Sequence, residues 1–585
     1  MFKKENLIKL QDSIKKDDID AYLIFTTDPH FSEYCSEKYL RERHYFCPFS
    51  GSAGQVLVTK EQAFLFTDGR YWIQAASQLE GSGIILVKAG DKGVLGLEDY
   101  IKSLDIKKLG VNFQNLSNSQ NEKFKLREII TVDKDYTNLI EEPYEEKISK
   151  VFKLDDSLNT LSSSEKIDEI LLKVEEKGAE ANFISSLDDI AWILNIRGKD
   201  IPNNPVFYSY LYLSKSYGNH LFIDRNKIDF EINNVIIHDY EEVFEFLKEH
   251  RSIKTLIDPS KASLKVLSNL DNLVYASNPS FLMKAIKGER EIENIKKIQA
   301  IDGVALLRFQ KYLEENLDSN LSEYDYSEKL KQFRLENPLC FDLSFGSIVA
   351  VGANAAQMHY APSKEKSSIV NKDSIELLVD SGGQYYGGTT DTTRTFLIGK
   401  PTEEYKHDYT ITLKALINLS RTIFLKGSNG QTIDIRSREF FWKEGMDYKC
   451  GTGHGVGYIL NVHEGPNGFR YRRVPDREDQ GEIVPGMVTT IEPGVYKQDK
   501  YGIRIENNLL CVKAFDTSDG EFYKFETITY VPITTESLDF SLLNEDEIEW
   551  VNEYHKIVYK ELEPLIKNDK ELLKFLSIKT KKISK

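Results

Sequence analysis

Residues 375–399 read "IELLVDSGGQYYGGTTDTTRTFLIG": an apolar run ending on an aspartate, a glycine-rich connection, then a second strand pattern that another aspartate opens. This placement of Asp380 and Asp391 constrains the fold more than any other stretch. Aspartate disfavours strand interiors, and a buried carboxylate needs something to offset its lost hydration. A metal ion would do so. A carboxylate that merely caps the turn explains Asp380 as well. Two further acids sit in comparable surroundings. Glu492 lies in "VTTIEPGVY", directly before a Pro-Gly pair, and Glu506 in "YGIRIENNLL". In the latter, Ile503 and Ile505 alternate with Arg504 and Glu506, which puts both polar side chains on one strand face. An exposed sheet face has the same alternation.

The stretch "GTGHGVGYILNVHEGP" (451–466) adds two histidines among five glycines. It lacks the GK[ST] ending of a phosphate loop and the GxSxG of a nucleophile elbow. "SGSAGQVLV" runs into a strand and offers no helix amino terminus to an anion. His454 and His463 stand nine residues apart, so they cannot share a helical turn as the histidines of HExxH do. A short strand and turn would still bring both to one cavity. His359, in "NAAQMHYAP", sits just before Pro362 at a loop end, where function concentrates; a lone histidine also serves structure. One histidine with four carboxylates makes an oxygen-rich donor set, suited to hard or borderline divalent ions such as manganese.

The chain of 585 residues has room for three to four domains at roughly 150 residues each. Its 41% hydrophobic content, with 31 Tyr and 31 Phe, supports sizeable cores. A net charge of −16 argues against general nucleic-acid binding and favours cationic ligands such as a peptide amino terminus. Five scattered cysteines without a CxxC pair point to reduced thiols. The start carries no apolar signal region, and no apolar run reaches the ~20 residues that cross a bilayer. The expectation is a cytoplasmic protein with no membrane partner.

Along the chain, "IDAYLIFTT" (19–27) predicts a buried strand and "QVLVTKEQAFLFTDGRYWIQAASQL" two strands and a helix. A second segment repeats the order: the helix "SEKIDEILLKVEEKGA", then "ANFISSLDDIAWIL", then "YLYLSKSYGNHLFIDRNKI", a hairpin with a Gly-Asn turn. This is consistent with duplication of one α/β domain, and equally with two unrelated ones. The helix pattern at 288–317 places Ile292, Ile295, Ile298 and Ile301 on one face. Near the end, Ile548, Val551, Val558, Leu562 and Leu565 form a stripe that packs on the body or on a second subunit.

"VDSGGQYYGGTTDTTRT", "GTGHGVG", "NVHEGP", "TTIEPGVY", "GIRIEN" and "HYAP" together resemble the aminopeptidase P group of pita-bread metallopeptidases. "SGSAGQ", "FTDGRYWIQA", "LDDIAWILNIRG" and "NPVFYSY" resemble the amino-terminal domains of its long cytosolic type. The resemblance implies an α/β (α+β) chain with creatinase-like domains at 1–155 and 156–286. A pita-bread catalytic domain at 287–540 and a helical extension at 541–585 would follow. It implies two divalent ions, manganese first, with cobalt, zinc and iron as alternatives. Asp380 would chelate one; His454 and Glu492 would hold the other; Asp391 and Glu506 would bridge. Glu492 would shuttle a proton, His359 and His463 would hydrogen-bond the substrate carbonyl and its oxyanion, and Arg504 would orient the carboxylates. Arg70 would reach substrate from the amino-terminal domain, or form a structural ion pair. The implied reaction releases the residue before proline from an Xaa-Pro peptide, in a homodimer. Prolidase, which cuts dipeptides, and a non-catalytic peptide-binding relative are the alternatives. The charged connection "FRYRRVPDREDQGE" (469–482) would shape the cleft mouth.

Overall fold

The run at 19–27 forms a four-residue strand, Ala21–Ile24 (β1), buried along its whole length. The structure, a computed structural model, describes residues 2–145, 148–473 and 481–585. Around β1 lie Gln55–Thr59 (β2), Ala63–Thr67 (β3), Ile84–Lys88 (β4), Lys108–Val111 (β5) and Ile130–Asp133 (β6), in the order β4-β3-β2-β1-β5-β6. A second sheet contains Ala181–Ile184 (β7), Ser209–Ser214 (β8), His220–Ile223 (β9), Ile236–His238 (β10), Thr255–Ile257 (β11) and Leu273–Tyr275 (β12). Its order is β10-β9-β8-β7-β11-β12. In both sheets the three strands from the first-formed one outward pair antiparallel, and the flanking strands join parallel. A helix precedes each central strand, Lys4–Lys16 and Ser163–Glu176. Shared order and shared pairing sense favour the duplication, which periodicity leaves open. The β8–β9 hairpin turns through Gly218 at φ +87°, a left-handed conformation that glycine adopts freely.

The chain divides into two compact units, Met1–Leu154 with Leu161–Phe281, and Asp155–Thr160 with Leu282–Lys585. The six residues Asp155–Thr160 thus belong to the second unit. Arg290 donates to the carbonyls of Asp156 (3.2 Å) and Asn159 (3.1 Å), and the Tyr458 hydroxyl to that of Leu158 (2.6 Å).

Within the second unit, the helix Glu289–Asn316 buries Ile295 and Ile298, while Ile292 and Ile301 are half-buried. Ile348–Val351 (β13), Glu376–Ser381 (β14) and Thr392–Leu397 (β15) form one antiparallel sheet. Four strands follow: Ile423–Leu425 (β16), Gly453–Gly455 (β17), Glu464–Phe469 (β18) and Val488–Ile491 (β19). Next, Gly494–Lys497 (β20) and Tyr501–Arg504 (β21) make a two-stranded ribbon. Asn507–Thr517 (β22) and Gly520–Thr527 (β23) then return to the preceding four, completing a six-stranded sheet in the order β16-β23-β22-β19-β17-β18. The carboxy-terminal helix Glu545–Ile566 inserts Ile548, Val551, Val558 and Leu562 into this unit's core, so its stripe packs on the body. Leu565 falls off the stripe, 51% exposed, and Ile566 takes the buried position.

Candidate metal centre

Sheet register explains how acids distant in sequence meet. β14 and β15 pair with Asp380 opposite Thr393, and Asp391 stands one residue before β15. β19 pairs with β22 so that Ile491 faces Asn507; one step further, Glu492 and Glu506 leave the same end of that ladder. β17 flanks β19 on its other edge, and the His454 amide donates to Thr490 Oγ1 at 3.0 Å. The glycines of "GTGHGVG" permit this packing. A Cβ on Gly453 would lie 1.8 Å from the Thr490 carbonyl oxygen, and one on Gly455 2.2 Å from that of Glu464.

His454 Nε2 lies 3.3 Å from Asp391 Oδ2 and 3.5 Å from Glu492 Oε1. Its Nδ1 is 2.9 Å from the Gly455 carbonyl oxygen, an obligate acceptor that fixes a proton on Nδ1 and turns Nε2 toward the acids. One ligand atom each from Asp391, His454 and Glu506 fall within 4.8 Å of one another. Arg504 spans the other side. Its Nη2 donates to Asp380 Oδ2 (2.6 Å), its Nε to Thr393 Oγ1 (3.1 Å) and its Nη1 to the Tyr496 hydroxyl (2.7 Å). Thr393 Oγ1 in turn donates to Glu506 Oε2 at 2.7 Å. Arg504 and Glu506 therefore do aim to one side. Asn508 Nδ2 donates to the Asp391 carbonyl at 2.6 Å.

Asp380, Asp391 and Glu506 are buried, and His454 and Glu492 half-buried. Burial pushes Glu492 up to about 7, against the pull of His454 and Arg504. Burial also raises Glu506 well above the usual carboxylate range, and the charges of Asp391 and Asp380 add to it. Asp380 is raised by burial in spite of Arg504. Burial opposes a charge on His454, but Asp391 and Glu492 outweigh it and hold the imidazole near 9, raised to about 9 from 6.5. Asp380 Oδ1 is buried without a hydrogen-bond partner. An oxygen-rich set with one imidazole, short of positive charge and with an orphaned carboxylate oxygen, fits divalent cations.

His463 places its ring edge-on to His454, with centroids 4.2 Å apart. His359 is half-buried in the turn that follows β13 and the short helix Gly352–Asn354. Arg70 belongs to the first unit. Both its Nε and Nη2 donate to Asp68 at 2.8 Å, the ion pair that the sequence allows. Of the connection 469–482, residues 474–480 lie outside the described residues. Sequence reasoning misses Thr393, Tyr496 and Asn508. It also misses the buried ion pair of Lys287 with Glu464, the residue after His463. The alternating threonines of "TTDTTRT" are the available signal for Thr393.

Residues 293–513 match the model of metallopeptidase family M24, and 521–583 that of the C-terminal region of peptidase M24. The creatinase/prolidase N-terminal domain matches twice, at 7–142 and 141–291. Xaa-Pro aminopeptidase 1 of Dictyostelium discoideum is 37% identical over 95% of this chain and 93% of its own. A probable Xaa-Pro aminopeptidase P of Laccaria bicolor is 35% identical over 98% and 92%. The X-prolyl aminopeptidase of Caenorhabditis elegans, described as a cytosolic enzyme with a di-nuclear active site, superposes with a TM-score of 0.93. It is 32% identical and covers 99% of this chain and 100% of its own. The α/β plan of two creatinase-like domains followed by a pita-bread domain is thus the fold found, and the chain belongs to metallopeptidase family M24.

Proposed function

We propose that this chain is an Xaa-Pro aminopeptidase, releasing the first residue from peptides whose second residue is proline. The observation that carries this is the close group of Asp391, His454 and Glu506, with Glu492 3.5 Å from His454 and Asp380 held by Arg504 with one oxygen unpartnered. It occurs in a chain similar to Xaa-Pro aminopeptidases over nearly its whole length. Asp380 would help hold one divalent ion and His454 and Glu492 the other, with Asp391 and Glu506 available to both. Two such ions supply Lewis acidity that makes a water nucleophilic near neutral pH and polarises a carbonyl.

The chain's own groups do the rest. An Xaa-Pro bond has no N–H, and its ring nitrogen, like any amine leaving group, must gain a proton to leave. Glu492 would accept the water's proton at its carboxylate and hand it to that nitrogen. His359 and His463 donate to the carbonyl oxygen as it gains charge. Arg504 holds Asp380 directly and Glu506 through Thr393. Arg70 is assigned to substrate binding. The division at 155, 286 and 540, a homodimer and a cytoplasmic location complete the proposal.

The test is full-length protein loaded with manganese, assayed on Xaa-Pro-Yaa peptides, Xaa-Pro dipeptides and Xaa-Ala controls. Cleavage of Xaa-Pro-Yaa but not Xaa-Ala is expected. A chelator should abolish it, and manganese should restore it better than cobalt, zinc or iron. Cleavage of dipeptides alone would make the chain a prolidase; binding without cleavage would make it a peptide-binding relative.

A further inference from the structure

Arg394 lies in β15, three residues after Asp391, with its side chain wholly buried. Buried guanidinium groups ordinarily face a carboxylate. Among the described residues none pairs with Arg394, and every acceptor it meets is neutral. Nε donates to the Pro532 carbonyl (3.1 Å) and Nη1 to the carbonyls of Thr393 (2.8 Å) and Glu506 (2.5 Å). Nη2 donates to Asn507 Oδ1 (2.8 Å), the Val531 carbonyl (2.9 Å) and the Tyr554 hydroxyl (2.8 Å).

The two carbonyls on Nη1 belong to adjacent segments, where the Glu506 amide also donates to the Thr393 carbonyl at 3.1 Å. Thr393 is two residues from Asp391, and its hydroxyl donates to the Glu506 carboxylate. Glu506 is the other acid of the close triad. One nitrogen therefore ties together the backbones that present both proposed bridging carboxylates. Behind it stands Tyr554 of the helix Glu545–Ile566, whose hydroxyl also donates to the Val531 carbonyl at 2.8 Å. Its ring stacks on Trp550, with centroids 5.3 Å apart and planes 2° from parallel. The cation that lacks a carboxylate of its own thus sits behind four carboxylates that share Arg504 and His454.

We propose that Arg394 and Tyr554 are positioning residues through which the carboxy-terminal helix sets the separation of Asp391 and Glu506 and eases the gathering of four acids. This rests on the dinuclear reading above. It gives the segment after residue 540 a part in metal binding, where packing alone would leave it a buttress.

Tyr554→Phe and Arg394→Lys, each made in the full-length protein, provide the test. The readouts are manganese stoichiometry and affinity by competition with a chelator, spin coupling between the two ions, and melting of the metal-free protein. Arg394→Lys is expected to weaken one of the two ions by about 10- to 100-fold, the range for groups that orient ligands, and Tyr554→Phe by about tenfold. Spin coupling should change in both, and kcat should fall by a larger factor than KM rises. A folded variant that binds both ions with wild-type affinity and coupling overturns the proposal, whatever its melting temperature. If Arg394→Lys fails to fold, Tyr554→Phe decides alone. A wild-type protein without a second ion refutes the dinuclear reading and this inference with it. Two ions in the wild type and unchanged variants refute this inference only.

Discussion

Buried acids in the two units are answered in different ways. In the first unit, Asp200 pairs with Lys227 at 2.9 Å, both nearly sealed from solvent, and accepts the Tyr208 amide at 2.8 Å. Glu42 accepts the Tyr22 hydroxyl at 2.7 Å, and Asp28 Oδ1 the amides of His30 (2.9 Å) and Ser32 (3.1 Å). These acids stand apart from one another, each with a partner of its own, although Asp28 Oδ2, like Asp380 Oδ1, is buried without one. In the second unit Asp380, Asp391, Glu492 and Glu506 share Arg504 and His454. Burial alone therefore does not mark a site. Acids that are buried, aimed at one point and jointly short of cations do, because the missing charge must come from outside the chain.

The sharpest way to break this comparison is to neutralise one acid in each unit. Glu506→Gln or Asp391→Asn should lower peptide turnover at least about a thousandfold, since several kcal/mol of charge stabilisation depend on the ions they hold. The metal-free variant should meanwhile melt higher than wild type, because like charges are relieved. Near-normal turnover in either variant would sink the dinuclear reading. Asp200→Ala should do the reverse. It strands Lys227 and should cost about 3–5 kcal/mol in chemical denaturation, with turnover per folded molecule unchanged. Lost turnover at intact stability would erase the distinction between the units.

Glu42 gives the smallest effect and sharpens the first unit's side. Burial raises its carboxyl from 4.5 to about 7, against the Tyr22 hydroxyl. Its contribution to stability is complete below 4.5 and is lost as pH rises through 7, amounting to about 3 kcal/mol at 1.36 kcal/mol per unit. Glu42→Gln should flatten that part of the stability profile in urea denaturation between acid and mildly alkaline pH. Equal slopes in both proteins would show that the Glu42 charge is already offset.

Apolar periodicity locates β1, the β8–β9 hairpin and the long helices, and acids on apolar strands point to the metal centre. What the linear pattern lacks is register. Thr393 and Asn508 are ordinary residues until pairing sets Asp380 opposite Thr393 and Ile491 opposite Asn507. The same limit applies to the duplication, which needs strand order to emerge. Steps of three suit a helix and predict Ile292 and Ile301 in the core. Each such step falls about 60° short of a turn, however, so a long run precesses off its face. Leu565 fails in the same way, three residues after Leu562, where the buried position is four residues on at Ile566.

Asp155–Thr160 has a consequence for anyone dissecting this protein. The catalytic body borrows these six residues from the beginning of the second creatinase-like domain, so it is no separable cassette. A deletion that begins at Leu282 takes away the carbonyls that receive Arg290 and Tyr458, leaving two donors to find water. During synthesis the segment emerges long before its partners and must wait, through the making of an entire intervening sheet, for the body that claims it. Supplied as a separate peptide, it should bind back to the truncated body.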